Sequence, residues 1–96
     1  MFLARVIGSV VSTRKSEKLV GAKLLIVDPV DFAHQKGEGK PLVAVDSVGA
    51  GEGEIVLVVQ GSSARLTEAS KDTPTDATIM AIVDSLEFDG RRTFTK

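Results

Sequence analysis

Apolar residues in this chain come in short blocks separated by glycine, proline and polar turn formers, a pattern that favours strands over helices. Phe2–Thr13, Lys23–Asp28, Leu42–Val48, Glu54–Gln60 and Thr78–Phe88 each read as a strand, and Pro29 stops the second. Asp89-Gly90 predicts a turn into a short last strand, Arg92–Thr95. The β-branched content agrees. There are 13 valines, 5 isoleucines and 7 threonines among 96 residues, and such side chains lose rotamer freedom in a helix and suit a pleated sheet. Only Ser62–Leu66 predicts a helical turn, with Ser62 as its N-cap. The polar segments Asp31–Pro41 and Thr67–Thr75 predict loops.

The alternation within the strands says more than their number. Phe2, Ala4, Val6, Gly8 and Val10 line one predicted face of the first strand. Leu3, Arg5, Ile7, Ser9 and Val11 line the other, which is also largely apolar. Leu24–Val27, Ile55–Val59 and Ile79–Val83 are continuous apolar runs. A half-buried strand alternates apolar and polar residues, so several of these strands seek burial on both faces. A small barrel has one interior. The surplus apolar surface is therefore expected to meet another subunit, which predicts an obligate oligomer.

A chain of 96 residues is one domain, and it buries only roughly 60–65% of its unfolded surface. Its 12 basic and 13 acidic residues give a net charge of −1, which is no electrostatic footprint for DNA or RNA. The absence of cysteine excludes a disulfide framework and thiolate chemistry. The opening MFLARVIGSVV is broken by Arg5 and lacks a basic start and a cleavage site, so no signal peptide is expected. No apolar stretch approaches the ~20 residues of a membrane helix. A soluble, cytoplasmic domain is the expectation.

Chemistry has few places to reside. Gly49, Gly51 and Gly53 lie between two strands and resemble a phosphate-binding loop at first sight. A dinucleotide fingerprint, however, needs G-x-G-x-x-G opening a helix, so that helix N–H groups face the pyrophosphate. Here the spacing is i, i+2, i+4, a strand follows, and Glu52 would repel a phosphate. A close-packed corner or subunit contact at Gly49, Ala50, Gly51 and Gly53 is the better reading. Ser62 and Ser63 stand near Arg65, but a serine nucleophile needs a base, and the only histidine is His34 in a predicted loop. A helix cap, a satisfied arginine and small residues suited to a symmetry axis fit that segment better. Asp28, Asp46, Asp76 and Asp84 would have to converge to hold a metal or to work as an acid/base pair. Turn capping and ion pairing with Arg5, Arg14 or Arg65 is favoured over that. With one histidine and no cysteine, no zinc or iron site is expected, and no cofactor.

A small barrel also raises single-stranded nucleic acid as an alternative ligand. That mode needs stacking aromatics in a basic groove. The chain has four phenylalanines (Phe2, Phe32, Phe88, Phe94), no tyrosine and no tryptophan, and none of the four sits in a basic cluster. A small enzyme built on Asp46 or Asp84 is a further alternative.

Three blocks carry a resemblance. LARVIGSVVSTRKSEKLVGAKLLIVDPVD (Leu3–Asp31), VAVDSVGAGEGEIVLVVQGSSAR (Val43–Arg65) and TDATIMAIVDSLE (Thr75–Glu87) closely resemble the EutN/CcmL family, the pentameric vertex proteins of bacterial microcompartment shells. The resemblance implies a mainly β fold: a five-stranded OB-like barrel with one short helical turn and a C-terminal β extension, assembled as a cyclic homopentamer. It implies a structural protein and not an enzyme. Facets of hexagonal tiles lie flat, and five-fold units would supply the curvature at the corners, in contact with hexameric or trimeric shell proteins and with a narrow axial pore. Residues 1–87 would form the vertex domain and 88–96 an extension. Thr13, Lys15, Leu19 and Gly21 match the family's first loop, and Lys23 to Leu25 its second strand. Asp46, Val48, Gly49, Ala50 and Gly51 match its strand–corner motif, and Gly61, Ser62, Ser63, Ala64 and Arg65 its turn. Asp76, Ile82, Val83 and Asp84 match its last core strand, while Pro74-Thr75-Asp76 departs mildly from the usual Pro-Val/Ile-Asp. The corner and the turn are expected at subunit contacts or near the five-fold axis. The tail from Phe88 resembles that of ethanolamine-type members and favours a catabolic compartment, a metabolosome, over a carboxysome.

Overall fold

The computed structural model describes residues 1–13, 17–19, 21–61 and 76–96. Seven strands are found among them: β1 (Phe2–Val10), β2 (Leu24–Pro29), β3 (Leu42–Asp46), β4 (Ile55–Gln60), β5 (Ala77–Ile82), β6 (Ser85–Phe88) and β7 (Arg91–Thr95), with one 3-10 turn at Glu17–Leu19. Five strands close a barrel in the order β1-β2-β3-β5-β4, and β4 pairs back onto β1. All its pairings are antiparallel except β3 with β5, where Val45 lies opposite Thr78 and Asp46 opposite Ile79. This is the expected mainly β, OB-like barrel. The predicted helical turn at Ser62–Leu66 and the loop Thr67–Thr75 lie outside the described residues.

Two predicted strands end early. The first stops at Val10, short of Thr13. The predicted strand Thr78–Phe88 is two: β5 ends at Ile82, and β6 begins at Ser85. The reason lies in the ladder. Ile82 pairs with Val56, and the N–H of Val83 donates to the Ile55 carbonyl at 2.8 Å. β4 starts at Ile55 and so offers no partner beyond Val83; the next carbonyl, that of Asp84, accepts instead from the Lys96 N–H at 2.8 Å. The chain leaves the barrel and forms a separate two-stranded hairpin, β6–β7. Its turn is Asp89-Gly90, at φ +56° and +75°, the positive φ at both positions that a two-residue hairpin turn requires.

A bulge between Val6 and Gly8 overturns the predicted faces of β1. Ala4 and Val6 point into the barrel, and Phe2 packs against the same core. One extra residue shifts the parity from Gly8 onward. Gly8 then pairs with Ile26 and Val10 with Leu24, on the opposite face from the core residues Leu25 and Val27. Gly8 and Val10 therefore belong to the outside of the barrel, not the inside.

Among the described residues there are two apolar clusters. The barrel interior holds Ala4, Val6, Leu25, Val27, Ala44, Ala50, Val56, Val58, Ala77 and Ile79. A second cluster lies outside the barrel wall: Leu3, Val30 and Ile55, with Leu57, Val83, Leu86 and Phe94 packed on them. The C-terminal hairpin folds back over one side of the barrel and buries Leu3 and Ile55 there. Part of the surplus apolar surface is thus covered by the chain itself and not by another subunit. Each fully buried side chain of this size contributes about 1.5–3 kcal/mol. The hairpin is tied down further where the Thr93 hydroxyl donates to the Phe32 carbonyl at 2.6 Å, and where the Phe32 and Phe88 rings stand 5.6 Å apart.

Candidate assembly surface

The glycine corner, residues 46–54, is built around two carboxylates. Asp46 ends β3 with its side chain only 1% exposed. Its Oδ1 accepts from the N–H groups of Val48 at 3.0 Å and Gly49 at 3.1 Å, and its Oδ2 from that of Ala50 at 3.0 Å. Lys23 Nζ completes the set, 3.3 Å from Oδ2, and also donates to the Ala50 carbonyl at 3.1 Å. Burial pushes the Asp46 carboxyl up, but the Val48 and Ala50 amides and Lys23 outweigh it and hold the carboxyl below its ordinary value. At the far end of the corner, Glu54 Oε1 accepts from the Gly51 N–H at 2.7 Å, and Oε2 pairs with Lys96 Nζ at 2.7 Å. These two contacts, Lys96 first, hold Glu54 below its ordinary value. Arg5 donates to the Gly53 carbonyl at 3.2 Å, and the Gly53 N–H donates to the Val6 carbonyl at 2.8 Å.

This wiring decides several expectations. Asp46 does cap its turn, and among the described residues its ion-pair partner is Lys23 and not Arg5; Arg14 and Arg65 lie outside the described residues. Extending the β2–β3 register one step from Leu24↔Val45 places Lys23 opposite Asp46, and the Asp46 N–H donates to the Lys23 carbonyl at 2.9 Å. That pairing is a signal that strand assignments alone do not display. Both Asp46 oxygens are engaged by the backbone and by Lys23, which leaves the carboxylate a structural part. Among the described residues, no three histidine or carboxylate side chains form a metal-holding group.

The structure separates the predicted contact residues. Ala50 is 2% exposed and plugs the barrel's own core. Gly49, Gly51 and Gly53 are exposed around it. Gly49 and Gly53 have φ of +78° and +87°, a region that side-chain-bearing residues rarely adopt. Gly51 does not share it, and a Cβ there would make only an ordinary contact with Glu54 at 3.5 Å. Ser62, Ser63 and Arg65 lie outside the described residues.

Away from the hairpin the outer wall is open at several positions and closed at Val45, which is 1% exposed. Register places Gly8, Ile26 and Val43 in one row across β1, β2 and β3, and Val10, Leu24 and Val45 in the next. Ile7 is 47% exposed, Val43 45% and Val10 37%, while Leu24 and Ile26 are half-buried. Beside them Val10, Val11, Leu24 and Lys23 line a shallow cleft of about 270 Å³. The alternation pattern put Val10 on one face with Ala4 and Val6, and the bulge separates them.

With the barrel, the Asp46 corner and the open wall in place, comparison with known proteins is decisive. Residues 1–84 match the family described as ethanolamine utilisation protein EutN/carboxysome. The chain belongs to the EutN/CcmL family. Its relatives include the microcompartment shell vertex protein GrpN of Rhodospirillum rubrum, 47% identical over 87 residues, covering 91% of this chain and 97% of that protein. The shell vertex protein EutN of Salmonella typhimurium is 43% identical, covering 100% of this chain and 96% of EutN. Among solved structures, CcmL of Gloeobacter violaceus superposes with a TM-score of 0.92 at 38% identity, covering 100% of this chain and 98% of that one. The GrpN structure, described as a pentameric microcompartment shell protein, superposes with a TM-score of 0.80 at 45% identity over 92% of this chain and 98% of its own. The EutN/CcmL relatives are structural shell components and not enzymes. In this member the family match ends at Asp84, where the hairpin that seals the second cluster begins.

Proposed function

We propose that five copies of this chain close into a ring that caps the five-fold vertices of a bacterial microcompartment shell. The observation that carries this is the match, over nearly the whole chain, to a shell protein described as pentameric. The open apolar wall supports it independently, because a soluble monomer rarely leaves such a face uncovered. The function is mechanical. Flat hexagonal facets cannot close a shell, and a five-fold wedge supplies the missing curvature. The partners of the ring are the hexameric or trimeric shell proteins that form those facets. We read the compartment as a metabolosome; GrpN and EutN, its relatives at 47% and 43% identity, support that reading, and carboxysome CcmL proteins at 38–46% are its competitors. The single-strand-binding alternative finds no support in the relatives.

Light scattering coupled to gel filtration tests the ring: the expected particle has five times the 10.1 kDa mass of one chain. A stable monomer at micromolar concentration overturns the proposal. Co-expression with facet proteins tests the vertex role by electron microscopy. Closed polyhedra should need this chain, and shells that close equally well without it contradict the role. Repeating the co-expression with metabolosome and with carboxysome facet proteins tests the compartment type.

A further inference from the structure

We infer that the C-terminal hairpin, β6–β7, is a strap that opens and closes on the barrel as a unit, with the Lys96–Glu54 pair as its catch and the Gly51 corner as the place where its state is felt. The inference goes beyond the vertex role and holds for one chain as for an assembly of them.

The hairpin pairs only with itself and adds no strand to the barrel. A lone two-stranded hairpin is marginal in water, so its order comes from what it leans on. Leu86 and Phe94 pack on Leu3, Val30 and Ile55. The Phe88 ring stands 5.6 Å from that of Phe32, and the Thr93 hydroxyl donates to the Phe32 carbonyl. Every residue from Ser85 to Lys96 is nonetheless exposed or half-buried. The barrel, in contrast, closes five paired strands around a buried core. An element with few buried contacts opens at a lower free energy than the core strands beside it. The pivot is also defined. The Val83 N–H makes the last bond of this segment to β4, on the Ile55 carbonyl, and the hairpin begins two residues later. Swinging it away uncovers Leu3, Val30 and Ile55, which are 4%, 3% and 0% exposed when it is closed, and breaks no rung of the barrel.

Glu54 joins the strap to the corner. Its Oε2 holds Lys96 Nζ at 2.7 Å while its Oε1 accepts from the Gly51 N–H at 2.7 Å. Lys96 in turn closes the base of the hairpin, since its own N–H donates to the Asp84 carbonyl. The end of the strap and the middle of the glycine loop thus meet on one carboxylate. The Lys96 side chain is 51% exposed and that of Glu54 23%, and an ion pair so open to water is weak. It serves as a catch that biases the strap toward closure without locking it. When Lys96 departs, Glu54 loses the cation that fixes one of its oxygens, and the Gly51 N–H loses a fixed acceptor.

Hydrogen exchange of the full chain, followed amide by amide by NMR, tests each part, because strap and barrel are compared within one particle. The paired amides of β6 and β7 should exchange together, about 100-fold or more faster than those of β4 and slower than those of an unstructured peptide. Lys96→Ala changes only an exposed terminal side chain. It should speed exchange of the hairpin amides by about two- to fivefold and leave β4 unchanged. Leu86→Ala loosens the strap while keeping both members of the catch. It should speed the hairpin amides and the Gly51 amide together, since coupling between strap and corner is reciprocal. Hairpin amides that exchange at the β4 rate, or at the rate of an unstructured peptide, overturn the strap. A hairpin indifferent to Lys96→Ala overturns the catch. A Gly51 amide that ignores Leu86→Ala while the hairpin responds overturns the link to the corner.

Discussion

The ammonium of Lys23 lies 3.3 Å from the Asp46 carboxylate and, with the same nitrogen, donates to the Ala50 carbonyl at 3.1 Å. One side chain therefore holds both ends of the turn that Asp46 wraps. Lys23 is half-exposed while Asp46 is buried, so the two contribute unequally. The carboxylate is the organising element and the lysine is its counter-ion. The turn in turn drives Ala50 into the barrel core, which links a polar network to apolar packing.

Asp46→Ala is expected to lower stability by about 2–3 kcal/mol, because it strips the Ala50 amide, which is buried, and the partly buried Val48 and Gly49 amides of their acceptor. Lys23→Met should cost less than about 1 kcal/mol, since an exposed partner adds little. Urea unfolding of the two variants checks the order. Equal losses would contradict the assignment of the carboxylate as the organiser.

The same site predicts an acid dependence. Asp46 in the folded protein has a carboxyl held below its ordinary value of 3.8. The unfolded state therefore binds more protons as pH falls through that range, and stability declines with it. The contribution is fully present above the ordinary value and is lost as pH drops through the lowered folded value. Glu54 and Asp31 shift in the same direction. The urea midpoint should fall between about pH 6 and about pH 3, and Asp46→Asn should flatten that slope. A wild-type midpoint unchanged across this range would refute the linkage.

The sequence made the barrel legible where β-branched runs meet turn formers. Leu24–Pro29, Leu42–Asp46 and Ile55–Gln60 fall within a residue or two of their predicted limits, because proline, the Ser47–Gly53 loop and Gly61 punctuate them. The bulge at Ile7 was not legible, since both faces of β1 are apolar and a one-residue slip leaves no trace in such a pattern. The break after Val83 was hidden for a related reason. Val83 and Leu86 both pack, partly buried, on the cluster of Leu3, Val30 and Ile55, so hydrophobicity continues while the strand does not. At the candidate site the glycines announced a corner, but the Lys23–Asp46 pair spans two strands and appears only once their register is known.

The hairpin should matter as a cover. Phe94→Ala removes a partly buried ring from the cluster around Leu3 and Ile55, and a loss of about 1–2 kcal/mol is expected, below the range for a fully buried phenylalanine. Binding of a hydrophobic dye should rise with it, since the masked half of the wall opens. A variant with native stability and no added dye binding would show that the hairpin covers nothing of consequence.

The glycine corner separates fold from assembly in one pair of substitutions. Gly49 has φ +78°, and a Cβ at that position would meet nothing of its own chain within 4 Å. Gly49→Val is strained by its backbone alone and should destabilise the protomer by about 1–2 kcal/mol, whatever the neighbour does. Gly51 has no positive φ, and a Cβ there meets only Glu54 Oε1 at 3.5 Å. Gly51→Val should therefore leave unfolding of the isolated protomer nearly unchanged. If the exposed glycines face the next copy, as the sequence leads us to expect, the same variant should weaken the ring, read as a shift of molar mass toward monomer on dilution. Gly51→Val that keeps both its stability and its ring removes the corner from the subunit contact. Gly49→Val without loss of stability would contradict the backbone argument itself.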